Sequence, residues 1–264
     1  MAFALGSRAA EAGHRLAAYE SLDSTNSTAL ALARSGERGP LWIVACMQTA
    51  GRGRRGRDWT SGEGDLATSL LISTHVAPAV AATLGFVAGL ALDEALRSCA
   101  PGAEVRLKWP NDVILGNAKL AGILLDAENG PNGLTLVVGI GVNLATAPRG
   151  LPFPATSLAA SGFIVHPEQM FAALTEAWIG FEHLWDGGCG MPHIRDLWLA
   201  KAAGRGKPVS VTMGDRVVQG IFETLDENGR LILRRPDRSE IAVAAGEVHF
   251  GRAATLHEPA KDHH

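Results

Sequence analysis

The apolar run Leu41-Trp42-Ile43-Val44-Ala45-Cys46-Met47-Gln48 is followed, after two residues, by Gly51-Arg52-Gly53-Arg54-Arg55-Gly56-Arg57. The run reads as a buried strand, and the seven residues after it as a loop carrying four arginines. Arginine stays charged in proteins and matches phosphate or carboxylate oxygens in a bidentate fork. The interleaved glycines let the backbone bend close to a ligand and keep the loop mobile until counter-charge arrives. A buried strand that ends in such a loop calls for an anionic partner.

The string contains G-x-G-x-x-G after a strand, as a dinucleotide fingerprint requires. That fingerprint also needs an apolar helix opening at its last glycine. Here Arg57-Asp58-Trp59-Thr60-Ser61-Gly62-Glu63-Gly64-Asp65 follows, without apolar periodicity, so the context excludes it. No G-x-x-x-x-G-K-[S/T] string occurs, which excludes a P-loop. An Arg/Gly nucleic-acid contact and a solvated basic loop remain. The formal net charge of −3 makes the arginine cluster a local feature and weighs against general nucleic-acid binding.

With 264 residues, 47% hydrophobic and 19% charged, the chain can bury a core large enough for one large domain and one small one. Three scattered cysteines, Cys46, Cys99 and Cys189, form no metal spacing, which points to reduced thiols in a cytoplasmic protein. The histidines lack a ligand pattern. No stretch approaches the roughly 18 uninterrupted apolar residues of a membrane span, and the N-terminal run is too short for a secretory signal.

Along the chain, Ser24 is a good N-cap for a helix over Thr25–Arg34, after a loose start. Strands are expected at Leu41–Gln48 and Leu66–Ser73, then a long apolar helix from Pro78, over about Ala79–Arg97, with Gly85 and Gly89 packed on a sheet. Glu104–Trp109 reads as a strand interrupted by Pro110. Val113–Leu115 and Lys119–Asp126 straddle Gly116-Asn117 as a hairpin, and a second hairpin turns at Asn129–Gly133 into Leu134–Leu144. Helices follow at about Pro167–Trp185 and Pro192–Ala203. Short strands at Pro208–Met213, Val217–Leu225, Leu231–Arg234 and Glu240–Ala244, joined by tight turns, indicate a small barrel. The boundary falls near Gly204-Arg205-Gly206, dividing residues 1–205 from 206–264.

Four further strings carry polar groups. Ser24-Thr25-Asn26 opens a helix, and alone is an ordinary cap. Lys108-Trp109-Pro110-Asn111-Asp112 sets a cation, an amide and a carboxylate at a rigid turn. Lys119-Leu120-Ala121-Gly122-Ile123 puts one lysine at the start of an apolar strand, where it could simply snorkel. Val138-Gly139-Ile140-Gly141-Val142-Asn143 alternates glycine with β-branched residues, so something flat should lie on that face.

In this order and spacing, from about Leu22 to Arg252, these strings resemble the biotin protein ligase (biotin–acetyl-CoA-carboxylase ligase) family, with its S-T-N, Q-x-x-G-R-G-R-x-G-R-x-W, K-W-P-N-D, K-x-x-G-I and G-x-G-x-N signatures. The resemblance implies an α/β fold: a mixed, largely antiparallel sheet backed by helices, with a C-terminal SH3-like barrel. It implies a two-step reaction in which biotin and ATP give biotinyl-5′-adenylate, and a lysine of a biotin carboxyl carrier domain then takes the biotin. Arg54 and Lys119 are the implied catalytic cations. Ser24, Thr25, Asn26, Gln48, Gly51, Arg52, Gly53, Arg54, Trp59, Lys119, Gly122 and Gly141 are implied around biotin. Arg52, Arg54, Lys108, Asn111, Lys119 and Asn143 are implied around ATP or the adenylate, and Asp112 at Mg²⁺. Lys108 either binds phosphate or pairs with a carboxylate, and Arg55 and Arg57 have weaker claims. The arginine loop should close as a lid over the adenylate. Only about twenty residues precede Ser24, so no DNA-binding domain and no DNA role are expected, nor a membrane partner, while a homodimer stays open. Two rivals remain: a lipoate or octanoyl transferase of the same fold, and an Arg/Gly RNA-binding module.

Overall fold

The structure, a computed structural model, describes residues 2–130, 133–148, 150 and 153–250. A short helix α1 (Ser7–Glu11) leads into β1 (Arg15–Leu22), a strand where the sequence suggested only a loose start. Its half-exposed, alanine-bearing pattern carries no clean alternation. It becomes a strand because β2 (Leu41–Gln48) offers a parallel edge, in register from Arg15 opposite Leu41 to Leu22 opposite Gln48. Between them lies α2 (Thr25–Arg34), whose N-cap Ser24 side chain accepts from the Ser27 N–H.

After β3 (Leu66–Thr74), the expected long helix is broken into α3 (Pro78–Ala81) and α4 (Leu84–Cys99). The cause is Thr83, whose hydroxyl donates to the Val80 carbonyl and accepts from Trp185 Nε1. Such back-bonding competes with the helical ladder. Although this segment is long and apolar enough to cross a bilayer, α4 is buried in the core. Strands β4 (Val105–Lys108), β5 (Asp112–Leu115), β6 (Ala118–Gly130) and β7 (Gly133–Val142) complete a seven-stranded sheet of order β1-β2-β3-β7-β6-β5-β4. Every pairing in it except β1 with β2 is antiparallel. In the expected turn between β6 and β7, Pro131 and Asn132 lie outside the described residues.

The central strand β7 decides how the two faces are used. One face carries Leu136, Val138, Ile140 and Val142 of β7 with Leu66 and Leu70 of β3. Against it pack α4 and α5 (Pro167–Trp185), with α6 (Met191–Ala200) packed on these two helices, making the main core. Gly85 and Gly89 of α4 permit this approach: a Cβ there would stand 3.3 Å from the Leu125 side chain and 3.4 Å from Trp198. On the opposite face, Leu71 and Val137 pack with Ile43 beneath Ala29, Leu30 and Ala33 of α2. Further along that same face the partners become Ser69 opposite Gly139, then Ala67 opposite Gly141 opposite Gly122. With no bulky side chains there, the sheet leaves a hollow at the N-terminal end of α2.

Residues 208–250 contain a second, antiparallel sheet, of order β11-β10-β9-β8-β12. Its strands are β8 (Pro208–Met213), β9 (Arg216–Leu225), β10 (Leu231–Arg234), β11 (Glu240–Val243) and β12 (Glu247–Phe250). This is the small C-terminal all-β unit the turns indicated, with β12 as a strand the sequence did not reveal. It docks on the first unit through the Trp109 indole, which donates to the Gly229 carbonyl at 3.0 Å.

Candidate active site

A cavity of about 680 Å³ opens over the glycine floor of β6 and β7. Its wall includes Ser24, Thr25, Asn26, Gln48, Arg52, Gly53, Arg54, Trp59, Lys108, Asn111, Asp112, Lys119, Gly122, Gly141 and Asn143. The residues singled out in the sequence thus converge from α2, β2, the arginine loop, the β4–β5 turn, β6 and β7. Gly51 is the exception. It is buried beneath the loop, its carbonyl accepting from Trp59 N–H, and a Cβ would strike the Trp59 carbonyl. Its part is to let the two limbs of the loop cross closely.

One end of the cavity is polar and hydrogen-bonded. The backbone N–H of Thr25 donates to Gln48 Oε1 at 2.8 Å, and Gln48 Nε2 donates to Ser61 Oγ at 3.2 Å. Asn26 Nδ2 donates to Asp126 Oδ2 at 2.9 Å. Buried Ser69 on β3 lies 2.7 Å from Thr25 Oγ1 and 2.6 Å from Asn26 Oδ1. Asn26 reaches across β7 only because residue 139 is glycine; a Cβ there would collide with its amide oxygen.

Trp59 supplies the flat object that the alternating glycines call for. A Cβ on Gly141 would overlap its indole, and one on Gly122 would sit 3.1 Å from Cζ3. The Lys119 ammonium stands 5.5 Å from the Trp59 ring centroid.

The other end of the cavity gathers cations. Arg54 Nη1 donates to Asn111 Oδ1 at 2.7 Å, and Asn111 Nδ2 donates to the Ile123 carbonyl, so the loop is moored to β6 through one amide. Burial, then the neighbouring Arg55 charge, pulls the Arg54 pKa below its ordinary value, yet a guanidinium remains protonated. Lys108 is almost fully buried, with its ammonium 3.7 Å from the Phe153 ring centroid and no carboxylate within 4 Å among the described residues. Of its two expected roles, carboxylate pairing is therefore absent. Burial lowers its pKa, with Asp112 and Glu247 opposing that shift. These are desolvated positive charges without full compensation, which an incoming polyanion would supply.

Lys119 Nζ approaches Asp112 Oδ1 to 2.7 Å, yet off the direction of a hydrogen bond, so this buried oxygen accepts none. A carboxylate oxygen on the cavity wall that is ion-paired but accepts no hydrogen bond suits a hard cation. No cluster of three acidic, histidine or cysteine ligands exists among the described residues, so substrate oxygens would complete the coordination. Asn143 is buried and donates to the Thr156 carbonyl at 3.1 Å, tying β7 to the 154–158 segment at the cavity's rim.

Several residues here escape sequence reasoning. Asp65 caps the exit of β7: Oδ1 accepts from the N–H groups of Leu144, Ala145 and Thr146, while Oδ2 accepts from Gly62 N–H and Thr146 Oγ1. Glu247 of β12 takes Arg57 in a two-pronged pair at 2.8 and 3.4 Å, and this bond, against the opposing effect of burial, holds its carboxyl below the usual range. Glu247 and Phe153 carry no local signal, since only folding brings them to the cavity.

A model of the biotin/lipoate A/B protein ligase family matches residues 18–143, and one of the biotin protein ligase C-terminal domain matches residues 205–251. A biotin–[acetyl-CoA-carboxylase] ligase of Paracoccus denitrificans is 42% identical over 237 residues, covering 87% of this chain and 98% of the relative. Its namesake from Mycobacterium tuberculosis is 32% identical over 86% of both chains. The biotin protein ligase of Aquifex aeolicus, solved with biotin and ATP, superposes with a TM-score of 0.74 at 25% identity, covering 90% of this chain and 99% of that one.

Proposed function

This chain belongs to the biotin protein ligases, and on that premise we propose how its cavity divides the work of activating biotin with ATP and passing it to a lysine of a carboxylase's biotin carrier domain. The observation that carries the assignment is the meeting, in one cavity, of a hydrogen-bonded polar end, a Trp59–glycine floor and a cationic end. Biotin has the same sequence of parts: a ureido ring, an apolar body and a carboxylate.

Thr25, Asn26, Ser24 and Gln48 receive the ureido ring, and the Trp59 indole with the backbone of Gly122 and Gly141 flanks the apolar part. The carboxylate then points toward Arg52, Arg54, Lys119 and Lys108, where the phosphates of ATP also lie. A carboxylate oxygen attacks the α-phosphorus, and the bond to pyrophosphate breaks. Two unit charges 4 Å apart repel by about 4 kcal/mol at an effective dielectric of 20, so preorganised cations at this point lower the barrier directly. Asp112 would hold Mg²⁺ through the oxygen that accepts no hydrogen bond, and the cation would neutralise phosphate charge. In the second step the carrier's lysine amine attacks the acyl carbon, the bond to AMP breaks, and the amine loses a proton.

Residues 1–205 form the catalytic unit in this reading, and residues 206–264 add Glu247 to its rim. Incubation with biotin, MgATP and a biotin carrier domain, followed by intact mass of the acceptor, tests the assignment. Biotin-dependent pyrophosphate release and one biotin added per carrier are expected; activation of octanoate or lipoate instead would overturn it.

A further inference from the structure

The polar end of the cavity rests on side chains that do not themselves line it, and their order has a direction. Asp126 lies on β6, on the same sheet face as Gly122, and one of its oxygens accepts from Asn26 Nδ2 at 2.9 Å. A carboxylate only accepts, so this contact fixes which way the Asn26 amide is turned. Its oxygen faces Ser69 Oγ at 2.6 Å. An amide oxygen also only accepts, so Ser69 must donate, and its single proton is thereby used. Thr25 Oγ1 lies 2.7 Å from Ser69 Oγ and 3.1 Å from Gln48 Oε1, neither of which has a proton left for it, so its own proton goes to one of these two acceptors. Donation runs from Ser69 to Asn26 to Asp126, and the Thr25 proton is taken by Ser69 or Gln48. What Thr25 Oγ1 keeps for the cavity is lone pairs.

From this geometry we infer that Asp126 is a positioning residue that sets the direction of the chain, so that the polar end of the cavity accepts hydrogen bonds from a ligand N–H. The inference rests on the biotin reading, since the ureido ring supplies such N–H groups. Arg52 Nη1 lies 3.9 Å from the same Asp126 oxygen, so one carboxylate contacts both the ligand-facing amide and the arginine loop. A neutral amide at position 126 could also donate; the Asn26 amide could then turn, and Ser69 would donate to Thr25, filling a lone pair that the ligand N–H needs.

The test compares wild type, Asp126→Asn, Ser69→Ala and the double variant in biotin-dependent pyrophosphate release, with thermal melting alongside. Asp126→Asn preserves shape at a partly exposed position. Its biotin KM should rise threefold to tenfold, with kcat within twofold, ATP KM unchanged and melting temperature near wild type. Ser69→Ala should raise the biotin KM similarly, and the double variant should add little, because both changes interrupt one chain. Ring N-methylation of biotin should weaken binding less in Asp126→Asn than in wild type. An unchanged biotin KM in Asp126→Asn, additive losses in the double variant, or a fall in kcat matched by lowered melting would overturn the inference. A wild-type protein inert toward biotin would overturn the functional reading itself, which keeps the two failures distinct.

Discussion

Trp59 and a side chain at position 141 cannot occupy the same volume. Gly141→Ala should therefore lift the indole from the floor without disturbing the core face of β7, where Ile140 and Val142 are packed. Biotin KM should rise at least tenfold and tryptophan emission should shift, while the urea midpoint changes little. Lys119 presents a different case, because its ammonium stands over the reaction end beside Asp112. Lys119→Ala removes one charge-assisted contact to the converging anions, worth roughly 1.5–3 kcal/mol, or about ten- to a hundredfold in adenylate formation. Pyrophosphate release at saturating biotin and ATP checks it, and an unaltered rate would take Lys119 out of the chemistry.

The arginine loop is stitched by backbone bonds from Gly53 N–H to the Arg57 carbonyl and from Trp59 N–H to the Gly51 carbonyl, and moored through Arg54 to Asn111. Arg54→Gly removes that mooring and adds backbone freedom. Hydrogen exchange over residues 51–62 should slow on adenylate binding in wild type and slow less in the variant. Adenylate should then escape and label a non-cognate protein; equal exchange in free and liganded wild type would eliminate the lid. The edge strand β1 is held differently. Arg15 donates to Glu37 with both terminal guanidinium nitrogens, Nη1 and Nη2, and Glu37 also accepts from the N–H groups of Gly39 and Arg38. The Arg15 bond leads in holding the Glu37 carboxyl at about 2, below its ordinary 4.5. A depressed carboxyl favours the fold above its unfolded pKa, and that contribution fades as pH falls toward the folded value. Glu37→Gln should thus lower stability at neutral pH and flatten the loss between pH 4.5 and 2, as urea melts across that range would show.

At the scale of the whole molecule, the two units meet where the chemistry is. Trp109 beside the Asn111–Asp112 turn bonds Gly229, Gly229 sits against Phe86 of α4, and Arg57 in the loop pairs with Glu247 of β12. Glu247→Gln should loosen the arginine loop from the C-terminal sheet and raise the ATP KM more than the biotin KM, since the polar end lies across the cavity. A rise confined to biotin would show that the sheet does not act through Arg57.

Much of the α2, β2, β3, β6 and β7 pattern was legible in the chain, because caps, alternating apolar residues and Gly-Asn turns are local signals. So were the cations and the glycine floor, since guanidinium forks and missing Cβ atoms announce their use wherever they are placed. Local sequence could not show β1, which is a strand only beside β2, or the break at Thr83, which needs Trp185 from a helix a hundred residues later. Nor could it show Gly51 leaving the wall, Trp59 lying on Gly141, or Asp65, Asp126 and Glu247 taking partners far along the chain. Residue type fixes what a group can donate, accept or avoid. Which partner it meets depends on strand order and register, and those are set by burying both faces of the sheet at once.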